Sequence, residues 1–157
     1  MPVRMHEDEV EVDEALVRRL LAAQLPQLAD RALALVGPWG TDNAIWRLGG
    51  DLVVRLPRIA WAAGQVDREA RWLPLLAPFL TVEVPEPVAV GEPGEGYPHR
   101  WAVHRWLAGD SATPSGIDEP VAFARDLARV VRDLRSVPTE GAPAARNRGR
   151  PLREYDA

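Results

Sequence analysis

Arg55 and Glu69 are the residues of this chain best spaced to do chemistry together. Arg55 falls within the apolar run Leu52-Val53-Val54-Arg55-Leu56, a strand pattern whose alternation places its side chain on the same face as Val53. A guanidinium on a strand that reads as buried needs an anion, and Glu69, in the middle of the following helical stretch, can reach back over the sheet to supply one. Upstream, Gly40-Thr41-Asp42-Asn43 is a turn of small residues that offers backbone amides. A strand cation held by a helix carboxylate beneath such a turn is a physical description of a phosphate site. By residue type alone, plainer readings stand beside it: Arg55 as an edge-strand residue pointing into solvent, Glu69 as one of several acids on an exposed helix face, and the turn as an ordinary hairpin.

Composition narrows the chemistry further. The chain has 157 residues, 23 acids against 19 bases, and no cysteine. Every base is Arg, which closes the chain to a Schiff-base lysine or a Gly-Lys-Ser phosphate loop. A net charge of −4 argues against a nucleic-acid partner. Without Cys there are no thiolate zinc sites, disulfides or thiol nucleophiles, as suits a reducing compartment. The first 14 residues carry six acids and one Arg, unlike a signal peptide, and no apolar run reaches the ~20 residues of a membrane helix. The expectation is a soluble, cytoplasmic chain with no membrane partner.

The elements that must position these residues follow from periodicity. Leu16, Val17, Leu20, Leu21 and Leu25 recur at helical spacing behind an Asp13 cap, and Pro26 closes the helix. Three short apolar runs at 32–36, 44–48 and 52–56, separated by Gly37-Pro38-Trp39-Gly40 and Gly49-Gly50-Asp51, predict an antiparallel meander. Val66, Ala70, Leu73 and Leu76 form a helix stripe over 62–77, in which Pro74 should kink or shorten the last turn. Strands are expected at 87–91 and 100–107, with a Pro/Gly loop between them. Ala124, Leu127, Ala128, Val131 and Leu134 mark a final helix from an Asp118 cap to Pro138, followed by an arginine-rich irregular tail. The six Trp residues are expected as core and interface filler, with only Trp106 placed to touch a bound ligand. The predicted class is α+β: a five-stranded antiparallel sheet with one crossing helix, preceded by an N-terminal helix.

In this order the segments resemble the nucleotide-binding lobe of protein-kinase-like folds, and more narrowly the aminoglycoside phosphotransferase family. The matching stretches are Gly40-Thr41-Asp42-Asn43-Ala44-Ile45-Trp46-Arg47-Leu48, Asp51-Leu52-Val53-Val54-Arg55-Leu56-Pro57-Arg58 and Arg68-Glu69-Ala70-Arg71-Trp72-Leu73. Pro85-Glu86-Pro87, Val103-His104-Arg105-Trp106-Leu107-Ala108-Gly109-Asp110 and the end from Arg148 to Ala157 also look like this family.

The resemblance implies a kinase-like nucleotide-binding lobe over 1–107 and, over 108–157, a linker, one helix and a tail belonging to an incomplete C-terminal lobe. It implies that Gly40, Thr41, Asp42 and Asn43 turn over the nucleotide phosphates, that Arg55 stands where kinase-like folds place a lysine, and that Glu69 is its helix partner. Arg105, Trp106 and Leu107 would be the hinge whose backbone meets the purine, with Val53 on the adjacent strand and His104 packed at the back of the pocket. The ligand implied is ATP or GTP with Mg2+. Arg in place of Lys presents a planar fork to the phosphates and leaves the choice of purine open.

The family's His-Gly-Asp catalytic loop and later metal-binding Asp do not occur in these 157 residues: His6, His99 and His104 are followed by Glu or Arg. No catalytic and no metal-binding residue is therefore assigned, and the chain by itself is expected to be inactive. The function implied is the nucleotide-binding part of a small-molecule phosphotransferase acting on an aminoglycoside-like or other hydroxyl acceptor, which only a complete protein would hold. The alternative is a non-catalytic interaction module or degenerate fragment on the same scaffold, pairing with a complementing C-terminal lobe or with itself.

Overall fold

The computed structural model describes residues 9–37 and 42–142. Helix α1 (Glu14–Gln24) starts where the sequence places it: the Asp13 carboxylate accepts the Leu16 N–H at 2.7 Å, satisfying a first-turn amide. Leu16, Val17, Leu20 and Leu21 are its buried stripe, and Pro26, which has no N–H to continue the ladder, follows the C-cap Leu25.

Five strands, β1 (Leu33–Leu35), β2 (Asn43–Leu48), β3 (Leu52–Pro57), β4 (Pro87–Gly91) and β5 (Trp101–Arg105), form one antiparallel sheet in the order β1-β2-β3-β5-β4. The predicted meander and both later strands are thus present. The β2–β3 turn carries Gly49 at φ 64°, a left-handed conformation that glycine adopts without strain. Alternation sorts the hairpin: Ala44, Trp46, Leu48, Leu52, Val54 and Leu56 are buried on one face in a single core with the α1 stripe, Trp101 and Val103. Ile45, Val53 and Arg55 point to the other face. Gly91 lies so close against Trp101 that a Cβ there would meet the indole at 2.0 Å. Tyr97 plugs the same core, its hydroxyl donating to the Pro57 carbonyl at 2.7 Å, and burial pushes the phenol well above its ordinary value.

Helix α2 (Ala60–Leu76) buries Ala62 and Val66. Pro74 lies inside it without shortening it. It stands in the last turn, so it removes one ladder bond, that to the Ala70 carbonyl, and little helix follows it to be displaced. Helix α3 (Pro120–Ser136) begins after Glu119, one residue beyond the expected Asp118, and neither acid makes the capping hydrogen bond. Pro120 at its first position brings a preset φ instead. The predicted stripe exists but buries nothing: Leu127 is 52% and Val131 51% exposed. Asp133 tethers α3, accepting the Thr81 N–H at 3.0 Å and its hydroxyl at 2.6 Å. Of the tryptophans, Trp46 and Trp101 are core, whereas Trp61 is 56% exposed on the first turn of α2, against the expectation of filler. The arginine-rich tail lies outside the described residues. Among the described residues no helix is long and apolar enough to cross a membrane.

Candidate nucleotide site

A cavity of about 540 Å³ opens on the sheet face opposite α1, walled by β2, β3, β5 and α2. Arg55 and Glu69 meet in its wall. Arg55 Nη1 donates to both Glu69 carboxylate oxygens at 2.7 Å, and Nη2 donates to Gln65 Oε1 at 3.2 Å. The pair is three-quarters shielded from water, with side-chain exposures of 29% and 26%. Gln65 stands one helical turn before Glu69, so one face of α2 supplies both acceptors. The guanidinium retains its Nε–H and one Nη2–H without a partner among the described residues, donors available to an anion in the cavity.

Nine of the expected site residues line this one cavity: Asp42, Asn43, Val53, Arg55, Glu69, His104, Arg105, Trp106 and Leu107. Gly40 and Thr41 lie outside the described residues. Three further lining residues, Ile45, Leu73 and Pro85, were not expected. Two of them had a signal. Ile45 is the direct cross-strand partner of Arg55, and Leu73 stands four residues after Glu69 on the same helix face. Pro85, in the segment before β4, had none.

His104 is 3% exposed and lies abreast of Val53 across the β3–β5 pair. Burial holds its imidazole below the ordinary value; Glu69 opposes this in part, and Arg55 adds a smaller push downward. It is a neutral back wall rather than a proton carrier at neutral pH.

The hinge is more constrained than its sequence suggests. The Arg105 N–H donates to the Glu86 carbonyl and the Trp106 N–H to the Asp51 carbonyl, both at 2.9 Å. The sheet ladder thus runs past the end of β5 and consumes two of the three amides expected to meet a purine. Of these three amides, that of Leu107 has no partner among the described residues. No group of three or more His, Asp or Glu side chains among the described residues could hold a metal ion. The arrangement therefore offers guanidinium donors, one hinge amide and apolar walls: the means to bind and orient an elongated anion bearing a flat ring, with no metal-holding set among the described residues.

Solved structures share this fold. Wild-type aminoglycoside 2'-phosphotransferase-IIIa in complex with GDP matches with a TM-score of 0.72 at 23% identity, over 82% of this chain and 44% of that one. APH(2")-IIia with GDP and kanamycin matches at 0.69 and 24% identity, over 79% and 42%. The streptomycin and ATP ternary complex of APH(2")-IIa matches at 0.59 and 19% identity, over 82% and 42%. At these identities the likeness concerns the fold, and the chain spans less than half the length of these neighbours. Among curated proteins none matches in sequence. The model of the phosphotransferase enzyme family matches residues 34–157, from β1 to the end of the sequence and through every element that walls the cavity. The chain belongs to the phosphotransferase enzyme family.

Proposed function

We propose that this chain is the nucleotide-binding part of a small-molecule phosphotransferase and that the cavity takes ATP or GTP. The observation that carries the reading is the Arg55–Glu69 pair, a strand guanidinium steadied by a helix carboxylate in the wall of a cavity of nucleotide size. Arg55 grips the phosphates with the donors that Glu69 and Gln65 leave over. Asp42 and Asn43 cover them from the start of β2, and Gly40 and Thr41, outside the described residues, are assigned to the same task. The base lies between Val53, His104 and the segment Arg105-Trp106-Leu107, and the Leu107 amide supplies the hinge hydrogen bond. GDP and ATP in the structural neighbours support this choice of ligand.

Magnesium would travel with the nucleotide. Phosphoryl transfer is almost wholly positioning and electrostatics. No His-Gly-Asp occurs in the 157 residues, so these residues alone bind and orient without turning over. The acceptor, an aminoglycoside-like or other hydroxyl compound, belongs to a complete protein in the cytoplasm. Within this reading 1–107 is the nucleotide lobe, and 108–157 begins the lobe whose remainder covers the exposed stripe of α3.

That stripe favours one second reading, a non-catalytic interaction module that docks through Phe123, Leu127, Val131 and Leu134. Thermal melts with millimolar Mg-ATP or Mg-GTP separate the two. The first reading expects Tm to rise by several degrees in wild type, for about 2.7 kcal/mol at a hundredfold excess over Kd, and less in Arg55→Ala. No nucleotide-dependent shift in folded wild-type protein refutes it.

A further inference from the structure

Trp106 lines the cavity, and a cation stands behind it. The Arg47 guanidinium carbon lies 4.1 Å from the centre of the indole, and Arg47 is not itself a lining residue. The register accounts for this. Arg47, Val53 and His104 lie abreast across β2, β3 and β5 on the cavity face, and Trp106 follows His104 by two residues. Both members are held by the β2–β3 turn. Arg47 Nε donates to the Gly49 carbonyl at 3.2 Å and Nη2 to the Gly50 carbonyl. The Trp106 N–H donates to the Asp51 carbonyl, and the Asp51 carboxylate pairs with Arg31 at 2.7 Å and Arg105 at 3.1 Å. The backbone that carries this half-buried indole, on the face away from the main core, is thereby anchored, and the tethered Arg47 guanidinium packs against the ring.

An aromatic ring already immobilised is a stacking surface that gives up little further freedom when a base lands on it. We propose that Trp106 is the stacking wall for the nucleobase and that Arg47 is a positioning residue acting through it, setting base affinity from outside the cavity. This rests on the reading of the cavity as a nucleotide site. Stacking uses a π-face that every base has, so Arg47 serves adenine and guanine alike.

The test compares ATP, GTP and inorganic tripolyphosphate, which has the phosphates but no base, by calorimetry on wild type and variants. Arg47→Leu is expected to weaken both nucleotides about three- to tenfold, and Trp106→Ala about tenfold or more. Tripolyphosphate affinity stays within roughly twofold in both, because the phosphate end is held elsewhere. Arg47→Lys, which returns a cation to the ring, recovers part of the loss, and Trp106→Phe abolishes the nucleotide-dependent change in tryptophan emission. Should Arg47→Leu fail to fold, Arg47→Gln, which also removes the cation, and Trp106→Ala carry the same comparison. Nucleotide affinities unchanged in the variants, or tripolyphosphate falling in parallel with them, overturn the proposal and leave the nucleotide site standing. Wild-type protein that binds neither nucleotide overturns both.

Discussion

Glu69→Ala leaves the Arg55 guanidinium three-quarters shielded with only Gln65 to answer it. Two unit charges about 4 Å apart attract by about 4 kcal/mol at an effective dielectric of about 20. Desolvation of both groups and the entropy of fixing two long side chains offset much of that. The two contacts at 2.7 Å and the partial burial place the pair between an exposed ion pair and a fully buried one. Exposed pairs couple by about 0.2–1 kcal/mol, and removing one partner of a buried pair costs about 3–5 kcal/mol. A coupling of about 1–2 kcal/mol is therefore expected here, and each single substitution costs more than the double one implies. Urea unfolding of wild type, Arg55→Ala, Glu69→Ala and the double variant gives the coupling directly. It should persist in 0.5 M salt, because screening acts weakly on shielded pairs. A coupling below about 0.3 kcal/mol, or one that salt abolishes, would show that the two side chains meet without holding each other and that Glu69 does not steady Arg55 for an anion.

Gly91→Ala drives a methyl into the Trp101 ring at 2.0 Å, and with the indole fully buried the fold should lose about 3 kcal/mol or more in urea unfolding; an unchanged midpoint refutes the close approach. Tyr97→Phe removes the buried hydroxyl that serves the Pro57 carbonyl and should cost about 1–2 kcal/mol in the same measurement, whereas a neutral result refutes that bond. Because His104 is held below its ordinary 6.5, the unfolded chain takes up the proton more readily. Its contribution to stability is complete above that value and is lost as pH falls below it, so His104→Phe should flatten the stability profile in the mildly acid range, and a His104 that titrates by NMR at or above 6.5 refutes the assignment.

Most of the sheet and its functional face were legible because alternation is a local rule. Once 52–56 reads as a strand, Val53 and Arg55 must share a face, and the short turn at Gly49, Gly50 and Asp51 forces β2 beside β3. Ile45 was within reach of the same logic through its register with Arg55. Pro85 and Gln65 were harder, since each matters only through what it lies against in space. The segment 105–107 shows the limit most clearly: nothing local says that the Arg105 and Trp106 amides are taken by Glu86 and Asp51, because those partners stand just before β4 and β3, far away in sequence.

The order of the elements, the capped start of α1 and the alternating faces of the hairpin follow from residue type and spacing over short distances. Tertiary structure alone decided that α1 and α2 take opposite faces of the sheet, that Arg47 backs Trp106, and that the stripe of α3 buries nothing. An amphipathic pattern states that a face wants covering, but what covers it depends on contacts between residues distant along the chain, and those exist only once the strands have found their register.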